Sequence, residues 1–178
     1  MAGKQKYLIF LLVLGLIFNF SIVLNGCGII QEQEKENEYL SEVVYIMRAL
    51  ADDSNFYIEI SSDLSAGRNS LSSHKETTKK LIEEIKDFYS QYMELTPTDR
   101  LKTTHQLLGE SLEHYSNSCD YLQKYIDADN ETEMEDYFNQ ATLEWNQGSE
   151  YWLEARDELQ NFLETEGEKY QEFIDFLK

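Results

Sequence analysis

The side chains in this chain that can do proton transfer, nucleophilic attack or metal binding are few, and their spacing decides what chemistry is open to them. The histidines are His74, His105 and His114, and the cysteines are Cys27 and Cys119. His105 and His114 stand nine residues apart, about half a revolution out of register on one helix, so they cannot share a ligand. Glu110 and His114 do lie on one helical face, four residues apart, where a solvated ion pair is the expected role. None of the histidines has a glutamate three residues before it, the pairing that builds di-iron sites in helical bundles.

The acidic run at Asp127, Asp129, Asn130, Glu131, Glu133, Glu135 and Asp136 invites a comparison with calcium loops, but the spacing differs. With Asp127 as first ligand, Thr132 stands where an EF-hand needs glycine and Phe138 where it needs the bidentate glutamate. Asp127, Asp129 and Glu131 are therefore at most a weak cation cluster, and acids in a first helical turn are favoured by the helix dipole in any case. Cys119 falls on an apolar helical stripe and reads as a small core residue rather than a nucleophile. There is no Gly-x-Ser-x-Gly and no phosphate-cradling glycine cluster. The sequence predicts a non-catalytic protein with no cofactor and no metal centre.

Those residues must be positioned by helices. The chain has one proline, eight glycines, and apolar residues that recur by three and four without any convincing period-two stretch, an all-α pattern. The first amphipathic face carries Leu40, Val43, Val44, Met47, Leu50, Ala51, Tyr57, Ile58 and Leu64. Gly67-Arg68-Asn69 supplies turn chemistry, and Ser73-x-x-Glu76 reads as a capping box opening a second helix that turns Leu81, Ile82, Ile85, Phe88, Tyr89, Tyr92 and Met93 inward. A strict seven-residue series from Val43 to Tyr92 keeps its phase through that turn, so three long helices are the alternative to four.

Thr96-Pro97-Thr98-Asp99 predicts the next start, with Thr96 as N-cap and Pro97 at the first helical position. The third stripe is Leu101, Thr104, Leu108, Leu112, Tyr115, Cys119, Leu122 and Ile126, stopping at Asp127-Ala128-Asp129-Asn130. The fourth helix is expected from about Glu131 toward Lys178, with Gly148 and Gly167 as places where it can bend. Along it a large row (Phe138, Trp145, Trp152, Leu159) runs beside a mostly small row (Met134, Ala141, Gly148, Ala155, Phe162), the pattern of interdigitated helix packing. The expected fold is an all-α, antiparallel up-down bundle of four helices. Tyr39, Tyr121, Tyr125, Tyr137 and Tyr170 lie off these stripes and are expected at or near the surface as a contact patch.

Ahead of the helices, Lys4 and Lys6 precede an apolar run from Tyr7 to Leu24, and Gly26 and Gly28 flank Cys27. That is the order of parts of a signal peptide. Leu24-Asn25-Gly26-Cys27 resembles the lipobox of bacterial lipoproteins: an aliphatic residue, a tolerated Asn25, a small residue before the scissile bond, and the cysteine that is acylated. The resemblance covers residues 1-26 as a signal and Cys27 as the lipid-bearing N-terminus, followed by a short polar tether to residue 36 and a bundle domain over 37-178. An uncleaved transmembrane helix over the same apolar run is the competing reading. Both place the domain outside the cytoplasm, held at the cell membrane.

The formal charge of -19 becomes -21 when Lys4 and Lys6 leave with the signal. Such a surface repels nucleic acid and anionic headgroups and attracts cations or basic proteins. The functional expectation is a lipid-anchored binding module whose partner is a protein or envelope component. The alternative is a small-ligand or cation sensor at the membrane surface.

Overall fold

The computed structural model describes residues 31–55, 57–58, 62, 71–171 and 173–174. The chain divides into two compact units, Met1–Glu38 and Tyr39–Lys178. Of the first unit, residues 31–38 are described, and they are helical; the tether expected to extend to residue 36 thus includes helix. The signal segment, the competing membrane-spanning run and Leu24, Asn25, Gly26 and Cys27 lie outside the described residues. No described helix is long and apolar enough to cross a membrane.

The second unit consists of four helices packed together, with no strand among the described residues. They are α1 (39–55), α2 (Leu71–Glu94), α3 (Lys102–Asp127) and α4 (Glu131–Glu166), with 3-10 turns at Asp99–Leu101 and Gly167–Tyr170. Leu71 is already helical, so Ser73 is not an N-cap and the predicted capping box falls inside α2. The predicted turn at Gly67-Arg68-Asn69 and the stripe residue Leu64 lie outside the described residues.

Thr96 does not cap the next element. The amide of Leu95 donates to the carbonyl of Tyr92 at 3.0 Å and closes α2, and the next backbone bond runs from the Leu101 amide to the Thr98 carbonyl at 3.1 Å. Pro97, lacking an N–H, sits in the connection between these two bonds, so the start shifts two residues, with Thr98 extended at the N-cap of the 3-10 turn. The α3–α4 connection matches expectation closely: α3 ends at Asp127, and Asn130 Oδ1 caps α4 by accepting from the Glu133 amide at 3.0 Å. Helix α4 runs through Gly148 and stops at Gly167, whose φ of 67° favours glycine.

All eight predicted α3 stripe residues are buried. On α1 and α2, Leu40, Val43, Met47, Leu50, Leu81, Ile82, Ile85 and Tyr92 are buried too, as is Tyr57 past the end of α1, whereas Ile58 and Met93 are exposed. Each of those two stands one residue past a buried tyrosine (Tyr57, Tyr92), and the step of about 100° per residue turns it to solvent. Tyr39, Tyr125 and Tyr170 are buried, against expectation, while Tyr121 and Tyr137 are half-buried. For Tyr39 the reason is that its hydroxyl finds partners inside.

The tightest seam is between α3 and α4. Ser118 Oγ donates to the Ala141 carbonyl and Ser111 Oγ donates to the Gly148 carbonyl, both at 2.8 Å. Thr104, Ser111 and Ser118 repeat every seven residues on α3, as Ala141, Gly148 and Ala155 do on α4, and all six are buried. Small side chains on both sides bring the backbones close enough for side-chain-to-backbone bonds that satisfy the buried hydroxyls. Beside the seam Trp145 lies between Tyr57, stacked at 4.0 Å with 2° between planes, and Tyr115 at 4.5 Å. Trp145 is therefore core packing, as the alternating large and small rows predict, and Trp152 is partly buried against the same core.

Candidate functional site

The residues that sequence reasoning examined for chemistry fall in separate places. His105 faces inward: Tyr39 Oη lies 3.0 Å from its Nδ1 and 3.4 Å from Tyr92 Oη, and Tyr92 Oη donates to the His105 carbonyl at 2.7 Å. Burial lowers the His105 pKa, favouring the neutral ring, and pushes the Tyr39 phenol up to about 12. The cluster therefore joins α1, α2 and α3 without carrying a charge. His74 lies on α2.

Cys119 is fully buried, and its thiol is pushed up to about 12 by that burial. It is a core residue on α3, protonated at neutral pH and unsuited to nucleophilic attack. Asp127, Asp129 and Glu131 are all exposed around the α3–α4 connection, where Asp127 accepts from Gln123 Nε2 at 2.7 Å. Among the described residues no group of three or more His, Cys, Asp or Glu side chains is arranged to hold a metal ion.

His114 is the residue with an organised polar environment. Its Nδ1 lies 2.8 Å from Glu144 Oε2 across the α3–α4 seam, so its carboxylate partner is Glu144 rather than Glu110 of its own helix. Glu110 instead accepts from Gln106 Nε2 at 2.9 Å. The His114 and Tyr151 rings stack at 5.5 Å with 11° between their planes. They form one wall of a groove of about 580 Å³ lined by His114, Gln147, Glu150, Tyr151 and Glu154. The Tyr151 phenol is held above its usual pKa by the negative field of Glu110, Glu154 and Glu150.

The arrangement has the elements of a cation-recognition site: a flat aromatic wall, a carboxamide and carboxylates around a concavity. The pairing of Glu110 with His114 expected from the sequence missed both cross-helix partners, Glu144 and Tyr151. The α4 spacing Glu144, Gln147, Tyr151, Glu154 by three and four places one polar stripe opposite His114, and that stripe is visible in the sequence only once the α3–α4 register is known. Comparison with protein-family models, with curated proteins and with solved structures gave no match to this chain.

Proposed function

We propose that the chain is a lipoprotein anchored through Cys27 at the outer side of the cell membrane, and that its helical domain binds a protein or envelope component without catalysing a reaction. The observation that carries the binding half is the organised groove at His114 and Tyr151 on a strongly acidic domain. The anchor half rests on Leu24-Asn25-Gly26-Cys27 after the basic and apolar segments. Two or more acyl chains hold a protein stably where one does so only marginally.

An antiparallel up-down bundle is the topology proposed for this domain. Chain order at the contacts supports it: Ser118 meets Ala141 and Ser111 meets Gly148, so α4 numbers rise as α3 numbers fall. Tyr39 meets Tyr92 and Tyr45 meets Phe88, the same reversal between α1 and α2. Arg100, at the head of α3, pairs with Glu166 at the end of α4.

The anchor is tested by Cys27→Ser. The variant is expected to leave the membrane fraction with the circular-dichroism spectrum of the helical domain unchanged; full retention in the membrane would contradict the lipid anchor. The binding function is tested by photo-cross-linking residues placed at Gln147, Leu143 and Met93, all exposed, in intact membranes. A discrete adduct from at least one of these surfaces is expected, and none from any of them would contradict a protein-binding role.

A further inference from the structure

We propose that the groove framed by His114, Gln147, Glu150, Tyr151 and Glu154 receives an arginine side chain from a basic segment of a partner protein. This deepens the interaction-module reading and rests on it. The starting observation is a concavity, about 580 Å³ and so within the size range of specific binding sites, whose wall is a stacked pair of rings. The wall is set before any ligand arrives. Glu144 holds the His114 ring at 2.8 Å, and that ring stacks on Tyr151 at 5.5 Å.

A planar guanidinium matches this wall in two ways that a compact ammonium matches in only one. It can lie flat on the Tyr151 face while its fork of N–H donors reaches carboxylates at the rim. Glu150 and Glu154 are placed for the second contact: they flank the groove four residues apart on α4, and neither makes a hydrogen bond or ion pair among the described residues. The raised phenol of Tyr151 reports the same negative field, with Glu110 contributing most and Glu154 and Glu150 adding to it. Gln147 adds a carboxamide oxygen as a neutral acceptor at the rim.

Charge complementarity selects the occupant. The chain carries 34 acids against 15 lysines and arginines, so a basic segment is drawn toward it from a distance and an acidic one is repelled. A bare divalent ion lacks a reason to choose this groove: it needs several converging oxygens, and no group of three or more metal-ligating side chains converges among the described residues. Of the two kinds of cation, the organic one is the one that can also use the aromatic wall.

The test is an NMR titration of the full chain in detergent micelles with three probes: an acetylated arginine-glycine peptide, its lysine-glycine counterpart, and calcium. The arginine peptide is expected to shift the Gln147 side-chain amide and the His114 ring, and to bind several-fold more tightly than the lysine peptide. Exchanging both rim acids, Glu150→Gln with Glu154→Gln, is expected to weaken the arginine peptide about tenfold. Tyr151→Leu is expected to remove the preference for arginine while the amide spectrum stays folded. Equal affinity for the two peptides, shifts confined to other faces, or calcium moving these signals at lower concentration than the arginine peptide would each overturn the proposal. A null titration together with a cross-link from Leu143 or Met93 would overturn the groove and leave the interaction module standing; absence of any cross-link would remove both.

Discussion

Gly148→Leu should destabilise the domain by about 3 kcal/mol, the upper end of the cost of overpacking. A Cβ at position 148 would stand 2.8 Å from Tyr115 Cδ1, 2.9 Å from Cε1 and 3.0 Å from the Ser111 carbonyl oxygen. Neither partner gives way easily. The Tyr115 ring is itself pinned against Trp145 at 4.5 Å, and the Ser111 carbonyl belongs to the α3 backbone. Moving α4 outward would break the bond from Ser111 Oγ to the Gly148 carbonyl and strand a buried hydroxyl. Gly109→Ala is the matched control: its Cβ would meet only Tyr92 Cε1, at an ordinary 3.6 Å. Alanine in that helical position is expected to stabilise by about 0.5–1 kcal/mol through the unfolded chain. Chemical denaturation of the two variants checks both signs, and equal midpoints would place residue 148 on a loose surface.

Asp53→Asn should stabilise the domain by about 1–2 kcal/mol near pH 8, and the advantage should disappear in acid. Asp53 Oδ2 is buried with no hydrogen-bond partner, and its carboxyl is pushed up to about 6, first by burial and then by Glu84 and Asp52. Lys86, which lies on α2 with Glu84, is engaged by Asp120 at 2.5 Å. The folded state holds its proton more tightly than the unfolded chain, whose carboxyl titrates at the model value of 3.8. Stability contributed by this group therefore rises as pH falls from above 6 toward 3.8, where the effect is complete, and the penalty is fully present above 6. The expected magnitude is smaller than the whole shift converts to, because the carboxyl keeps partial contact with water. Urea denaturation of both proteins across this range reads the difference directly. An asparagine variant less stable than the parent at pH 8, or a difference independent of pH, would contradict the assignment.

The acidic side chain at position 53 was invisible as a special group in the sequence, because nothing in its neighbours signals burial. The α3 stripe was legible throughout: its spacing by threes and fours fixes one face, and all eight residues are buried there. The α3–α4 connection was equally legible because Asn130 caps by a local bond, three residues from its donor. Local chemistry reads well from a single sequence. Thr96 misled because a start signal competes with whatever closes the preceding helix, and here the Leu95 to Tyr92 bond and the Pro97 ring delayed the start.

Tyr39 and the partners of His114 were not legible for a different reason. Tyr39 is buried because its hydroxyl lies within hydrogen-bond distance of His105, 66 residues later, and of Tyr92, 53 residues later. Glu144 is 30 residues from His114 and reaches it only because α3 and α4 pack in the register that pairs Ser111 with Gly148. The sequence carried a trace of that register in the two seven-residue rows of small residues. Read together, Thr104, Ser111 and Ser118 against Ala155, Gly148 and Ala141 would have placed Glu144 and Tyr151 beside His114.

We propose an acylated Cys27 that holds a partner-binding helical domain at the membrane. Native mass spectrometry of the protein extracted gently from its own membrane tests both parts in one spectrum. The predicted result is a mass beginning at acylated Cys27 with a protein partner attached. An intact Met1 with no acyl mass would contradict the anchor, and an acylated chain carrying only a small molecule or metal would contradict the protein-binding role.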